Sequence, residues 1–345
     1  MTFSRVLVIA EAGVNHNGDL EIAKRLVAAA AEAGADAVKF QTFHADEIAS
    51  PQAARAEYQI RNSRIQAESQ LDMLRGLELG RDAHFELAEC AKKKGILFLS
   101  SPFDANSTDL LDEIGVPLFK LGSGEITNIP LLRHVARKRK PVILSTGMAT
   151  LDEVAHAVRI LRAEAGDDDI LLMHCLTQYP APAAEVNLRA MQAMAATFHL
   201  PVGYSDHTEG NEIAFAATAL GACCIEKHFT LSRTMEGPDH AASQEPDELK
   251  ALVRGIRNIE LALGDGIKRP APCEMPNRLL VRRSIFAAEE IPSGRVLTAA
   301  MLACKRPGTG IPAECFDELV GRRAVRRFKA GEMLSWKALS KGANG

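Results

Sequence analysis

Short apolar runs rich in valine, isoleucine and leucine recur along the first two thirds of the chain, and each ends in polar residues. They span residues 6–13, 37–43, 96–103, 118–125, 141–148, 170–177, 201–208 and 223–230. Between them lie stretches with helical periodicity, including residues 20–33, 151–163, 188–196 and 212–220. Near-continuous apolar strands that alternate with amphipathic helices are typical of a parallel sheet covered by helices.

The number of strand–helix units predicts an α/β fold of the (β/α)8 (TIM) barrel type, which usually takes about 250 residues. A doubly wound open sheet is the alternative, and it is disfavoured because no G-x-G-x-x-G follows the first strand. Residues 45–80 are longer than an ordinary strand-to-helix connection. Because segments 58–60 and 71–79 look partly helical, we expect an ordered excursion near the mouth of the barrel.

The chain changes character after the last predicted barrel helix, residues 247–263. Glycine and proline are frequent in residues 264–277, which is the composition of a linker. Beyond it, short apolar runs are broken by further prolines and glycines. We therefore predict a barrel domain over residues 1–265, a linker over 266–281, and a small β-rich domain over 282–345, near the lower size limit for independent folding.

Composition narrows the class of protein. The 345 residues carry a net charge of −3, which gives no field that favours nucleic acid or an anionic membrane. No signal peptide or membrane-spanning apolar run is recognisable. The seven cysteines show no C-x-x-C spacing, and their odd number argues against a disulfide framework. We expect a cytoplasmic protein.

Polar residues concentrate where the predicted strands end, which in a parallel barrel is the location of the active site. They are Glu11, Lys39, Gln41, Ser101, Lys120, Ser123, Glu125, Ser145, Thr177, Tyr179, Ser205, His207, Glu226 and His228. Buried polar groups are costly unless they are satisfied, so this ring indicates a ligand of matching charge. Two lysines among hydroxyls suit a phosphate and a carboxylate, although a buried ion pair with a glutamate is the alternative for each lysine.

His207 and His228 end neighbouring strands and could share one divalent ion. Spacing alone leaves a metal site and a pair of hydrogen-bonded core histidines equally open. His16 is either a third ligand or part of a turn that leads into the first helix. His174 lies deeper in its strand and is interpreted as structural.

These residues belong to motifs that together resemble the bacterial N-acetylneuraminate synthase family, which includes N,N′-diacetyllegionaminate and pseudaminate synthases. The motifs are EAGVNHNG (11–18), VKFQTF (38–43), SSPFD (100–104), KLGSGE (120–125), STGM (145–148), YPAP (179–182), GYSDHT (203–208), EKHFT (226–230) and GPDH (237–240). The tail, with KRPGTG at 305–310, resembles the family's antifreeze-like (SAF) domain. The resemblance covers nearly the whole chain.

The resemblance implies an enzyme that condenses phosphoenolpyruvate with N-acetylmannosamine and water to give N-acetylneuraminate and phosphate. The alternative is an N,N′-diacetyllegionaminate synthase that uses 2,4-diacetamido-2,4,6-trideoxy-mannose. More remote alternatives are a Schiff-base aldolase that uses Lys120 or Lys39, and a carbohydrate-binding protein with an inert barrel.

The resemblance also implies roles for individual residues. His207 and His228 match ligands of Mn²⁺, with Mg²⁺ or Co²⁺ as alternatives. The matches to phosphoenolpyruvate contacts are Lys39, Ser101, Lys120, Ser123, Ser145 and Ser205. The matches to groups around the amino sugar and the reacting carbons are Glu11, Gln41, Glu125, Tyr179 and Asp239, while Thr177 stands in a segment that departs from the family pattern.

Among the matched residues, Glu125, Glu11 and Lys120 are the expected catalytic groups, with Glu125 transferring a proton or activating water. The family forms a homodimer in which the SAF domain is swapped across the subunits. Arg306 matches the arginine of that domain which touches the N-acetyl group of the sugar.

Overall fold

The computed structural model describes residues 5–55, 60, 69–165 and 169–340. Contacts within the chain divide it into two compact units, Met1–Gly264 and Asp265–Gly345. No helix in the described part of the chain is long and apolar enough to cross a membrane.

Eight parallel strands form the first unit and confirm the predicted barrel. They are β1 (Leu7–Gly13), β2 (Ala37–Thr42), β3 (Leu97–Pro102), β4 (Phe119–Leu121), β5 (Val142–Ser145), β6 (Ile170–Cys175), β7 (Val202–Asp206) and β8 (Cys224–His228). Hydrogen-bonded neighbours follow the order β3-β2-β1-β8-β7-β6-β5-β4. The two end strands, β3 and β4, also contact each other, which brings the sheet round into a nearly closed ring.

Helices cover the outside of the barrel. They are α1 (Leu20–Ala33), α2 (Ala45–Ile48), α3 (Gln70–Arg75), α4 (Arg81–Lys94), α5 (Ala105–Ile114), α6 (Ile129–Ala136), α7 (Leu151–Ala165), α8 (Arg189–Phe198), α9 (Glu212–Ala219) and α10 (Pro246–Leu263). α2 and α3 belong to the predicted excursion, where α3 overlaps the expected helical segment 71–79. The other expected segment, 58–60, lies outside the described residues except for its last position.

Two apolar layers lie on the two sides of the barrel wall, because successive side chains of a strand point to opposite faces. Val38 and Phe40 of β2 pack outward with the helices. Ala37 faces inward and packs with an inner cluster that includes Ile9 and Leu99. The inner apolar cluster is formed largely by the first parts of the strands. Polar side chains are therefore left to the carboxyl ends.

β4 and β5 end earlier than the pattern predicts. The expected strand over residues 118–125 stops at Leu121, and a 3₁₀ helix, Ser123–Thr127, follows it directly. The residues that follow the two strands contact each other: the Ser123 hydroxyl accepts a hydrogen bond from the Gly147 N–H at 3.0 Å. Ser123 and Glu125 therefore lie on a turn, where strand alternation does not set their directions.

The second unit has its own apolar core, which includes Ile285, Leu297 and Phe328. Its strands β9 (Ser284–Ala287) and β10 (Leu302–Lys305) pair antiparallel, and a short helix, Phe316–Leu319, follows them. Part of the predicted linker is also helical, since Pro272–Glu274 forms a 3₁₀ turn and Met275–Val281 an α-helix. Pro272 and Pro276 lie in first turns, where proline is tolerated because the missing N–H has no helical partner.

Gly203 in β7 provides a test of the packing between strands. A Cβ at this position would lie 2.7 Å from the Cys224 carbonyl oxygen in β8, and the ladder prevents the two strands from separating. We expect Gly203→Ala to lower the free energy of unfolding in urea by about 1–3 kcal/mol. Gly124→Ala is the matched control, since no heavy atom of the described residues lies within 4 Å of its added Cβ. Equal stability of the two variants would contradict this packing.

Candidate active site

A cavity of about 190 Å³ opens at the carboxyl ends of the strands. Of the residues predicted for the site, it is lined by Glu11, Lys39, Gln41, Ser101, Lys120, Ser123, Ser145, Thr177, Tyr179, Ser205, His207, His228 and Asp239. Glu125 is not among the lining residues, and Arg306 belongs to the second unit. The strand ends thus bring together side chains from all eight strands and the loops that follow them.

Two lysines and two glutamates form a buried ion-pair network on the floor of the cavity. Lys39 Nζ lies 2.6 Å from Glu11 Oε2 and 3.8 Å from Glu226 Oε2. Lys120 Nζ lies 3.1 Å from Glu226 Oε1. All four side chains are at most 5% exposed. Both expectations for the lysines therefore hold. Each lysine forms an ion pair with a glutamate, and each also lines the cavity.

The pKa values of the two glutamates are shifted in opposite directions. Burial acts to raise the pKa of Glu226, but Lys120 and Lys39 outweigh it and hold that pKa below its usual range. Burial raises the pKa of Glu11, and Lys39 offsets this only in part. Burial alone would lower the pKa of Lys120, yet Glu226 and Glu11 raise it. Glu226 thus ionises more readily than Glu11, so the two glutamates do not balance the lysines equally, which suits an anionic ligand near Glu11.

Glu226 was not predicted as a binding or catalytic residue, although it joins the two lysines. Strand alternation could have identified Glu226 from the sequence. It lies two residues from His228 in β8, so the two side chains point to the same face. Lys227 between them points outward, where its Nζ lies 2.6 Å from Asp206 Oδ2 and donates to the Thr208 carbonyl oxygen at 2.7 Å.

Hydroxyl groups line the side of the cavity above β5, β6 and β7. Ser145 Oγ is buried and has no hydrogen-bond partner among the described residues, so it is available to a ligand. Ser205 Oγ donates to Glu226 Oε1 at 3.1 Å. Glycine at position 147 permits this crowding, because a Cβ there would lie 2.3 Å from Thr177 Oγ1 and 2.9 Å from Cys175 Sγ. Cys175, which also lines the cavity, was not predicted.

His207 and His228 face each other with ring centroids 5.4 Å apart. Nδ1–H of His207 donates to the Leu176 carbonyl oxygen at 2.6 Å, which leaves Nε2 with a lone pair, 3.3 Å from Ser205 Oγ. Burial lowers the pKa of His207 to about 4 and that of His228 well below its usual range. Neutral imidazoles can bind a divalent cation, and in His207 a carbonyl fixes the second nitrogen, so this donor set fits a metal.

His16 does not join the pair. Its Nδ1 accepts a hydrogen bond from the Gly18 N–H at 3.0 Å, and its ring packs against Phe40, so the interpretation as part of a turn is confirmed. Among the described residues, no group of three His, Cys, Asp or Glu side chains has the arrangement of a metal site. A cation held by His207 and His228 would therefore take its remaining ligands from water or substrate.

The other residues singled out from the sequence make contacts of their own. Glu125 accepts a hydrogen bond from Asn128 Nδ2 at 2.7 Å, and burial raises its pKa. Its neighbour Gly124 lines the cavity instead, and the role of Glu125 stays a prediction. Arg306 belongs to the second unit, where its Nε donates to the Val281 carbonyl oxygen at 3.0 Å. His174 donates to the Val186 carbonyl oxygen at 2.7 Å and does not line the cavity, and its structural interpretation stays a prediction.

Comparison with protein-family models matches residues 26–268 to the NeuB family and residues 282–340 to the SAF domain. The chain belongs to the NeuB family. Among curated relatives, it is 50% identical to an N,N′-diacetyllegionaminic acid synthase of Campylobacter jejuni, over 96% of this chain and 99% of the relative. It is 47% identical to an enzyme of the same name from Legionella pneumophila, over 96% of this chain and 93% of the relative.

A solved structure is also similar. The N-acetylneuraminic acid (sialic acid) synthetase of Leptospira borgpetersenii, crystallised with citrate, matches with a TM-score of 0.70 and 36% identity. The match covers 80% of this chain and 94% of the Leptospira chain. These relatives are synthases, and the chain is an enzyme of the same family with a barrel followed by a SAF domain.

Removal of Glu226 tests the ion-pair network. Glu226→Ala leaves Lys120 without its nearest carboxylate in a buried site, and breaking a buried pair in this way typically costs about 3–5 kcal/mol. We expect a loss of that order in urea unfolding of the barrel. Glu209→Ala, which removes an exposed carboxylate after β7, should change stability by less than about 0.5 kcal/mol. A similarly small effect of Glu226→Ala would mean that the lysines do not depend on Glu226.

Proposed function

We propose that this protein is an N,N′-diacetyllegionaminate synthase, which condenses phosphoenolpyruvate with 2,4-diacetamido-2,4,6-trideoxy-mannose. The observation that carries the proposal is the identity of 50% and 47% to two synthases of that name, against 36% to an N-acetylneuraminic acid synthetase. This reverses the order of preference in the sequence analysis, where N-acetylneuraminate synthesis came first.

The floor of the cavity is suited to phosphoenolpyruvate. Lys39 and Lys120 supply positive charge for its phosphate and carboxylate, and preorganised charge of this kind stabilises charge that develops during a reaction. Ser145 Oγ is buried without a protein partner among the described residues and supplies a donor. In the proposed reaction, C3 of phosphoenolpyruvate attacks the aldehyde carbon of the open-chain sugar, water adds at C2, and phosphate leaves with cleavage of its C–O bond.

Two carboxyl groups are candidates for the proton transfers. Glu11, whose pKa is raised by burial, holds a proton more readily than an exposed glutamate and can give it to the oxygen of the aldehyde. Glu125, also with a raised pKa, is the candidate for accepting a proton from the water that adds at C2. Lys120 keeps its charge beside Glu226 and stabilises the departing phosphate.

His207 and His228 would hold a divalent cation, for which we propose Mn²⁺. When bound, such an ion acts as a Lewis acid that polarises a carbonyl group. Tyr179 lies against both imidazoles, with its ring centroid 4.2 Å from that of His207 and 5.3 Å from that of His228. The Tyr179 ring thus forms an aromatic wall beside the two imidazoles, and its proposed role is to orient the sugar for attack.

A Schiff-base aldolase that uses Lys120 is disfavoured by the charge of that lysine. A nucleophilic amine must be neutral, whereas the carboxylates of Glu226 and Glu11 raise the pKa of Lys120. The homodimer, with Arg306 reaching the sugar in the partner's barrel, stays a prediction that rests on the family resemblance.

The choice of sugar is tested by direct competition. We expect kcat/KM for 2,4-diacetamido-2,4,6-trideoxy-mannose to exceed that for N-acetylmannosamine by about 100-fold or more, because a pocket that hydrogen-bonds a substrate amide rejects an analogue without it. The amounts of the two condensation products formed from an equimolar mixture of the sugars measure the ratio, since phosphate is released with either sugar. A ratio near one, or in favour of N-acetylmannosamine, would return the assignment to N-acetylneuraminate synthesis.

Metal removal tests the histidine pair. Treatment with EDTA should abolish turnover, and Mn²⁺ should restore it. His228→Ala should bind Mn²⁺ at least about 10-fold more weakly in equilibrium dialysis, whereas His174→Ala, which lacks a histidine outside the cavity, should retain Mn²⁺. Turnover that survives EDTA, together with trapping of pyruvate on the enzyme by borohydride, would favour the aldolase instead.

A further inference from the structure

The loop between β8 and α10, residues 229–245, brings Asp239 to the cavity. Burial raises the pKa of Asp239 to about 6. Among the described residues, Asp239 makes a single hydrogen bond to a side chain, and its backbone carbonyl oxygen is the acceptor. The position of the carboxyl group therefore depends on how the backbone of this loop is held.

A chain of hydrogen bonds ties the loop to the turn after β1. The Thr230 hydroxyl lies 2.6 Å from His240 Nδ1, and His240 Nε2 lies 3.3 Å from Asn17 Oδ1. Asn17 Nδ2 then donates to the Glu236 carbonyl oxygen at 2.7 Å. One proton assignment satisfies all three contacts, with a neutral His240 that accepts at Nδ1 and donates at Nε2. Burial lowers the pKa of His240 to about 4, so the neutral form is the resting one.

Gly237 shows how closely this chain of contacts packs against the residues before Asp239. Its φ of +152° is a conformation that favours glycine. An added Cβ would lie 2.6 Å from Asn17 Oδ1 and 2.6 Å from His240 Cδ2. Asn17 and His240 thus hold the backbone directly at the bend that leads into Pro238 and Asp239.

A second asparagine of the same turn holds the two ends of the loop. Asn15 Nδ2 donates to the Phe229 carbonyl oxygen at 2.8 Å and to Ser243 Oγ at 3.0 Å. Ser243 Oγ donates in turn to the Asp239 carbonyl oxygen at 2.7 Å. Asn15 is fully buried and fixes where the loop begins and ends, whereas Asn17 fixes its bend.

We propose that Asn17 and His240 are positioning residues that hold Asp239 in place for the amino sugar, and that phosphoenolpyruvate does not depend on them. The inference rests on the proposed function, in which Asp239 contacts the sugar. The lysines and serines of the phosphoenolpyruvate site lie on strand ends or the adjoining turn after β4, and residues 229–245 contribute none of them. Loosening the loop therefore displaces a group on the sugar side and leaves the floor of the cavity intact.

The test is a kinetic comparison of Asn17→Ala and His240→Ala with the wild type. We expect kcat/KM for the amino sugar to fall about 10–100-fold, as small misplacements of a positioned group do, while KM for phosphoenolpyruvate changes less than about twofold. His240→Gln, which keeps an N–H able to reach Asn17, should recover part of the loss. Asn106→Ala is the matched control. It removes an exposed amide that lies outside residues 229–245 and donates to Glu47 Oε1 at 2.7 Å.

A double-mutant cycle separates positioning from general damage. In an Asp239→Ala background, Asn17→Ala should cost less than about a further twofold, since the group it positions is gone. The same factor with and without Asp239, or a rise in KM for phosphoenolpyruvate equal to that for the sugar, would overturn the proposal. If His240→Ala fails to fold, Asn17→Ala alone is used for the test, since Asn17 is partly exposed.

The choice of sugar is tested separately. If the wild type prefers N-acetylmannosamine, the proposed substrate is wrong, but the same cycle measured with that sugar still tests the positioning.

Discussion

The contact between Lys120 and Glu226 on the cavity floor is the interaction on which the rest of the site depends. Taking these two charges out of water costs several kcal/mol for each ion, and the cost is recovered only with close geometry and further hydrogen bonds. Ser205 and Lys39 supply such contacts to Glu226. Apolar side chains such as Leu7, Ala37 and Cys224 fill the inner positions at the starts of their strands, so the network forms farther along the strands.

The residues that line the cavity come from two kinds of element. The lysines sit on strands whose positions are set by the ladders of β2 and β4. Tyr179 and Asp239 come from loops instead. The position of a side chain on a loop depends on the contacts that fix the loop. On the side of the cavity assigned to the sugar, the asparagines after β1 supply those contacts.

Strand alternation allowed the barrel and most of the cavity wall to be predicted, and it fails where a strand ends. Lys39 and Gln41 are two residues apart in β2, so their common face could be predicted from spacing. Glu125 follows β4 on a 3₁₀ helix, where that rule no longer applies, and it lies beside the cavity wall. The prolines at 272 and 276 looked like linker residues, because composition does not distinguish a proline in a loop from one in the first turn of a helix.

The difference between residues on strands and residues on loops also explains why motifs identify the family more readily than the substrate. A phosphate and a carboxylate require charge and donors at fixed positions, so the residues that suit them recur as short motifs on the strands. Two sugars that differ at C4 and C6 present smaller differences: a hydrophobic pocket rejects an added hydroxyl by only about 100-fold, while a site that hydrogen-bonds a group rejects its absence by about 10⁴-fold or more. Strong selectivity therefore needs polar groups held in fixed positions on the sugar side. Hydrogen bonds from a neighbouring turn can supply that rigidity to a loop such as residues 229–245, and they leave no pattern in the strands.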